Sequence, residues 1–577
     1  MVEAIVQGAS RRYLSLIAVV ILGALVLRLV AAMDYGRDWR GPNTFTHINF
    51  DEASACRAVL GAHPYAAFVG YQTLALARWF GTPPPAESYG DARRAKAYCH
   101  SREHLGIARA YSAVLGSLTV PVLFMLALQL FPGRYDVALG SAVLLTLSGW
   151  HISESLTGTV DAASTFFIYL FIGAVAWARR VGPVSWPIVF LLLVATVWTK
   201  YWVFAVFGLI ALLSPSMFAR VFASVSARRI GLVTIVYAGA FACLTMPVKP
   251  GSLPWLVVPI VYLFVPWRAL PPAGRVLFLL LPWVAPLAMN YSRFMEFTSG
   301  YATSSLFGTH YGAIGWHKLL RNPLNIPIVT LMGLGLPAAT AVALGTYRLW
   351  KEQAFDDRWL PLLPVGIYLL YMLFLAPVTY YRHYLPLLPA LCLLAAFGLS
   401  SLSVRWRRAG WVLAVCWQLS LAVDLATDFH FDPRRELPSW YAQARPERVL
   451  ASYYVNPPPT RGTRHALFRV RDQDNAFGGL ERYWRRADTL ILSENWYDTA
   501  FPNELNGPLA RDPAKLIKTT PKAVAFYRQA LADEHPRLQK VAHFRAPTFM
   551  PELLVHRALY GSFTQFVGDI VVYRIVP

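Results

Sequence analysis

Charge is what this sequence has least of. Only 15% of its 577 residues are Asp, Glu, Lys or Arg, against 56% hydrophobic, and the acids number just 32. So little polar surface excludes the several soluble domains that the length would otherwise suggest. Cysteine is also scarce: there are five, none at metal-ligand spacing. Three of them, Cys243, Cys392 and Cys416, sit in apolar runs where burial as small hydrophobes accounts for them. Internal repeats, low-complexity tracts and Gly-rich phosphate loops are lacking. The missing P-loop argues against an ATP-driven transporter.

What is present is a succession of long apolar blocks. A membrane span needs ~20 apolar residues, and many windows qualify. The chain reads as a polytopic membrane protein. The formal charge of +21 does not call for nucleic acid, because the basic residues mostly punctuate the gaps between blocks. The first segment, 13–32, follows Arg11 and Arg12 without a small-residue cleavage site, so it reads as a retained helix rather than a signal peptide.

Thirteen spans are expected, near 13–32, 106–130, 135–150, 158–178, 184–200, 202–218, 231–248, 252–268, 275–290, 325–346, 359–377, 383–402 and 409–425. One set of connections is short and basic, with Arg134, Arg179/Arg180, Arg228/Arg229, Arg348/Lys351 and Arg405/Arg407/Arg408 among them. These are assigned to the cytoplasm with the N-terminus. The other set holds the loop 33–105, a His151–Glu154 turn, a turn at Lys200, the stretch 291–324 and everything after 425, and faces the exterior. Residues 426–577 change character. Short strand-like runs ("RVLASYYV", "DTLILSENWY", "DIVVYRIV") and a helical pattern in "PKAVAFYRQALADE" suggest a small α/β extracytoplasmic domain.

The stretch "THINFDEASACRAVLGAHPY" poses the chemical question: why do Asp51 and Glu52 stand side by side just after the first span? A solvated loop pair is one reading. The other follows from the amphipathic stretch that comes next and would lie along the membrane surface, placing both acids at the interface, where ionisable groups are expensive and often functional. Asp161, in "SESLTGTVDAASTFF", is either an acid favoured by a helix N-terminus or a second carboxylate at the same rim. Lys200, in "WTKYW", either snorkels at a tight turn or meets an anion. Arg382, in "TYYRHYLPLLPALCLL", and Arg109, at the start of the second span, pose the same question. Cations at external helix ends run against the positive-inside trend and suit a phosphate, hence a phosphorylated lipid. His47 and His63 lack the partners of a zinc site and are expected to hydrogen-bond at the interface. A divalent metal is compatible with the paired acids but not indicated, and no cofactor is required. Cys56 and Cys99 share one external loop and form a candidate disulfide.

This pattern resembles the GT-C superfamily of membrane glycosyltransferases, in particular the protein O-mannosyltransferase-like and aminoarabinose-transferase-like members of the glycosyltransferase family 39 type. "FDEASACRAVLGAHPYAAFVGYQTLALARWFG" looks like their first external loop, "RAYSAVLGSLTVPVLFMLALQLF" their second span, and "ESLTGTVDAASTFFIYLFI" the segment with their second acid; "WTKYW" and "YYRHYLPLLPALCLLAAFGL" echo later stretches. The resemblance covers roughly residues 10–425 and implies a GT-C-like catalytic module at 1–425, with 426–577 as a separate external domain. It implies transfer of a sugar from a polyprenyl-phosphate donor to a lipid, glycan or protein acceptor. Asp51 would match the catalytic base and Asp161 the second acid, with Glu52 orienting Asp51 or the acceptor. Lys200 and Arg382 would match donor-phosphate contacts. His63-Pro64-Tyr65 departs from the family's frequent Lys-Pro-Pro, and a neutral His anchors phosphate less firmly than Lys. A lipid-carrier flippase is the competing reading, but it would scatter polar residues deep in several helices. A non-catalytic scaffold leaves Asp51 and Asp161 unexplained.

Overall fold

The computed structural model describes residues 11–40, 44–46, 48–49, 51–62, 67–181, 316–352, 381–452, 455–458, 460, 462–467, 487–497, 521–560 and 568–576, with single residues between 188 and 199 and at 366. Helix α1 (Arg11–Asp34) leads into a long loop carrying α2 (Ser54–Val59), α3 (Phe68–Trp79) and α4 (Ala92–Cys99). Then come α5 (Arg102–Leu130), α6 (Tyr135–Leu147), α7 (Gly149–Leu156) and α8 (Asp161–Val181). After the undescribed middle stand α9 (Trp316–Lys351), α10 (Leu388–Ser400), α11 (Val404–His430) and α12 (Leu437–Ala444).

Among the described residues five helical segments are long and apolar enough to cross a membrane, those carrying α1, α5, α9, α10 and α11; a sixth arises if α7 and α8, bent by 116°, form one broken span. This is an integral membrane protein. The spans expected near 202–218, 231–248, 252–268 and 275–290 lie outside the described residues, as do nearly all of those near 184–200 and 359–377. α9 begins inside the stretch expected to be an external loop. The His151–Glu154 turn is corrected more sharply: those residues are helical, within α7, and both side chains are buried. Ser148 caps α7 by accepting the His151 N–H at 3.4 Å.

Helix packing relies on missing side chains. A Cβ at Gly345 would lie 2.1 Å from the Leu394 carbonyl oxygen, and one at Gly398 would lie 2.1 Å from that of Ala341, so α9 and α10 touch backbone to backbone. α9 kinks at Gly335 (φ 70°), two residues before Pro337. The kink frees the Leu336 N–H, which donates to Glu552 at 3.1 Å; the same carboxylate oxygen accepts Trp417 Nε1 at 2.7 Å.

Beyond α12 come β1 (Arg448–Ala451), β2 (Arg464–Leu467), β3 (Thr489–Ser493), α13 (Pro521–Leu531), β4 (Leu538–Phe544), α14 (Pro551–Tyr560) and β5 (Ile570–Ile575). The strands form one sheet in the order β2-β1-β3-β5-β4, parallel across the first three and antiparallel across the rest. Alternation along the strands sorts the faces: Leu450, Leu490 and Leu492 pack on Phe526, Tyr527 and Ala530 of α13, while Val449, Ala451 and Ile491 pack with Leu437 and Tyr441 of α12. The sheet is fastened to α11 by carboxylates. Asp424 accepts the N–H groups of Phe549 (3.1 Å) and Met550 (2.5 Å), and Asp428 accepts the Thr548 hydroxyl at 2.9 Å.

Candidate functional site

The loop after α1 is turned by Gly36 (φ +80°), where a Cβ would stand 2.7 Å from the Thr46 carbonyl oxygen and 3.2 Å from an Arg109 nitrogen. Only glycine fits both that conformation and that space. Arg109, on α5, is fully buried. It gives Nε to Glu52 Oε1 at 2.8 Å, one terminal nitrogen to Glu52 Oε2 at 3.1 Å and to the Thr46 carbonyl at 2.7 Å, and the other to the Tyr35 carbonyl. Its guanidinium lies 4.5 Å from the Phe45 ring centroid. Glu52 also accepts the N–H of Ile48 (2.6 Å) and of Gly158 (3.1 Å). Burial pushes its pKa up, but Arg109 and these donors outweigh burial and hold the carboxyl below its ordinary value. Arg109, expected as a phosphate contact, and Glu52, expected beside Asp51 as an acid that orients it or the acceptor, are joined to each other, and the pair fixes the loop.

With Glu52 turned inward, its neighbour Asp51 faces the other way. Arg382 donates to Asp51 Oδ2 at 2.6 Å, joining residues 331 positions apart. Asn49 Oδ1 accepts the Asp51 N–H at 2.9 Å, fixing the turn. Asp51 Oδ1 has the Ser54 hydroxyl at 3.5 Å, a long contact. Both side chains are nearly buried, Arg382 at 4% and Asp51 at 10% exposure, so the ion pair lies largely out of water.

Asp161 opens α8 and is buried. It reaches the same neighbourhood through Gly158, three residues earlier, whose N–H bonds Glu52 and whose Cα packs so close to α5 that a Cβ would stand 2.8 Å from that of Ala108. Val160 and Ala163 flank Asp161 and share a cluster with Ala55 of α2. Asp51 and Asp161 therefore belong to one packed corner, built by α2, α5 and the α7–α8 break. Lys200, His63 and His47 lie outside the described residues. Cys56 and Cys99 are joined in a disulfide (Cα–Cα 5.9 Å) that ties α2 to α4. Among the described residues no group of three or more His, Cys, Asp or Glu is arranged to hold a metal ion.

One residue important to this corner went unread in the sequence. Arg28, inside the first apolar run and fully buried, donates to the carbonyls of Leu145 (3.2 Å) and Thr146 (3.3 Å) at the end of α6, and meets His151 Nδ1 at 3.0 Å. It caps one helix, anchors the next and so supports the α7–α8 break. Its signal was a cation in the middle of an otherwise apolar span. Tyr35 is a second such residue: its ring packs on Phe429 and Trp39, and its hydroxyl contacts Arg434, itself paired with Asp432 at 2.7 Å.

No family model and no curated protein matches the sequence. Among solved structures, similar ones include the archaeal oligosaccharyltransferase AglB from Archaeoglobus fulgidus in complex with an inhibitory peptide and a dolichol-phosphate (TM-score 0.47, 11% identity, 93% of this chain and 74% of that chain covered). The apo form from the same organism gives 0.46, 11%, 97% and 88%. ArnT from Cupriavidus metallidurans bound to undecaprenyl phosphate gives 0.38, 15%, 86% and 95%.

Proposed function

We propose that this chain is an integral-membrane glycosyltransferase that moves a sugar from a polyprenyl-phosphate donor to a hydroxyl-bearing acceptor at the extracytoplasmic face. The observation that carries the reading is the Asp51–Arg382 pair, an almost buried carboxylate and guanidinium 2.6 Å apart where the first external loop meets the bundle. Such a pair matches the charge changes of glycosyl transfer. As the bond from the anomeric carbon to the phosphate oxygen breaks, its electron pair stays with the phosphate, and the sugar ring gains positive character. The acceptor oxygen bonds to the anomeric carbon and gives its proton to Asp51 as general base.

Arg382 holds Oδ2, which leaves Oδ1, with only its long contact to Ser54, as the oxygen to receive that proton. The remaining guanidinium charge, with Lys200, serves the departing phosphate. Asp161 completes the acidic rim, and Glu52 sets the direction of Asp51 through the backbone. One displacement inverts the anomeric centre. The sugar is a hexose or pentose and the acceptor a lipid, glycan or protein. Thirteen spans, a cytoplasmic N-terminus and an external sheet domain complete the reading.

The test is Asp51→Asn in reconstituted vesicles supplied with polyprenyl-phosphate-linked sugars. Normal expression with a loss of transfer of at least 100-fold, on the order expected for a general base, is the expected result. Undiminished transfer removes Asp51 from the chemistry.

A further inference from the structure

The beginning of α1, the turn between α5 and α6 and the beginning of α11 enclose a cavity of about 850 Å³ at one end of the bundle. That is the size of an ordinary ligand pocket, ~300–1,000 Å³. Tyr13 of its lining opens the first membrane-crossing helix, Arg134 stands just past the end of α5, and Arg407 lies in the first turn of α11. The cavity therefore opens at the depth where bilayer meets water.

The charges on its wall do not cancel. Arg134 is already engaged, donating to the two oxygens of Asp136 at 3.0 and 3.1 Å. Arg407 and Arg408 remain, and among the described residues neither side chain makes an ion pair or a hydrogen bond. Their own helix supplies no counter-charge: the first acid along α11 is Asp424, 16 residues beyond Arg408 and roughly 24 Å away at 1.5 Å per residue. Glu352, just past α9, acts electrostatically on Arg134, but Arg348 and Lys351 in the last turn of α9 more than offset it. Two guanidinium groups are left in excess, with the planar sets of donors that suit a phosphate.

The rest of the wall is aromatic and apolar. Tyr13 and Tyr135 stack on each other with ring centroids 5.1 Å apart. The Trp411 ring is held against α6, where a Cβ at Gly140 would stand 2.2 Å from it. Tyr and Trp are the residues of a membrane interface. Arg408, Trp411 and Val412 share one face of α11, being three and four residues apart. Val412, the deepest of them along the helix, is 65% exposed. A free phosphate has no use for that apolar step below the arginines, whereas a lipid does.

We propose that this cavity holds the headgroup of an anionic bilayer phospholipid, its phosphodiester between Arg407 and Arg408 and the start of an acyl chain along Val412. The site is separate from the Asp51–Arg382 pair and does not depend on the glycosyl-transfer reading. Asp424 and Asp428 fasten α11 to the sheet toward one end; the lipid fastens the other.

The full-length protein, reconstituted in vesicles of equal phosphatidylglycerol and phosphatidylcholine and released into mild detergent, is examined by native mass spectrometry. The wild type should retain one phosphatidylglycerol with at least a fivefold preference, and 10 mM inorganic phosphate should leave it bound. Arg407→Gln with Arg408→Gln should erase the preference; neither side chain has a protein partner, so this variant should fold as the wild type does. Arg348→Gln with Lys351→Gln removes the same charge from outside the cavity and should keep the preference. Equal retention of the two lipids by the wild type overturns the proposal, as does a preference that survives the loss of Arg407 and Arg408. An equal fall in both double variants would mean diffuse surface charge, and release by inorganic phosphate would mean an anion site without a lipid; either result also overturns it.

Discussion

Arg109 and Glu52, 57 positions apart, meet at 2.8 Å with both side chains fully buried, and between them they hold the backbone at Tyr35, Thr46, Ile48 and Gly158. Removing one partner of such a pair strands a charge away from water and costs about 3–5 kcal/mol. Arg109→Ala should therefore lower the melting temperature in detergent and reduce folded yield, measured by fluorescence-detected size exclusion. Asp51→Asn also leaves the nearly buried Arg382 without its counter-charge, so its folded fraction is measured beside that of Arg109→Ala, and a loss of transfer larger than its loss of folded protein would separate chemistry from scaffold.

Acid should loosen this loop before the bundle. The folded Glu52 has a depressed pKa, so the stability it contributes is present above its ordinary value of 4.5 and is lost as pH falls through the lower folded value. His100 acts in the same direction at milder pH. Burial, reinforced by Lys96, pushes its imidazole from 6.5 down to about 4, so the unfolded loop takes up a proton that the folded loop refuses over that interval. Hydrogen exchange of residues 44–105 should accelerate from pH 6.5 toward 4 while α10 stays protected.

The Cys56–Cys99 bridge closes a segment with a sequence separation of 43. In the chain-entropy account a loop of that size gives about 4 kcal/mol. Reductant should lower the melting temperature of the wild type and leave a Cys56→Ser/Cys99→Ser protein unchanged. In intact cells a thiol reagent should reach neither cysteine until reductant is added; ready labelling without it would refute the bridge.

At the other end of the chain, Asp424 is the acceptor for the N–H groups of Phe549 and Met550. Asp424→Ala leaves both donors without that partner, at about 1–3 kcal/mol for each. The sheet should then part from α11 more readily. Limited proteolysis should cut within residues 431–447 in the variant and spare the wild type.

Much of this was legible in the sequence because ionisable groups in an apolar chain are conspicuous. Asp51, Asp161 and Arg382 were singled out for that reason, and the structure pairs two of them and puts the third in the same corner. What periodicity could not convey was direction. Asp51 and Glu52 look equivalent in a string of letters, yet adjacent side chains in a tight turn point apart, one to Arg382 and one to Arg109. His151 and Glu154 look like a wet turn because polar residues interrupt the apolar pattern there; the polar groups are instead used inside the bundle, where Arg28 reaches His151. The sheet was read from three strand-like runs. β2 escaped because it is only four residues long, and β4 because its charged outward positions mask the alternation of "LQKVAHF".

The mutual approach of Gly345 and Gly398 makes the α9–α10 crossing a fulcrum. From it α10 runs outward to Leu388 and a 3₁₀ helix (Tyr381–Leu387) carries the chain on to Arg382, 16 residues away, an arm of roughly 27 Å at the α and 3₁₀ rises. A methyl group added at Gly398 would wedge the fulcrum open, and the tilt would be felt at the far end, where the guanidinium must stay within hydrogen-bonding reach of Asp51. A displacement of about 1 Å there is enough to cost two orders of magnitude in rate. Gly398→Ala should therefore slow the proposed transfer from the far end of the helix, without altering a residue of the Asp51–Arg382 pair.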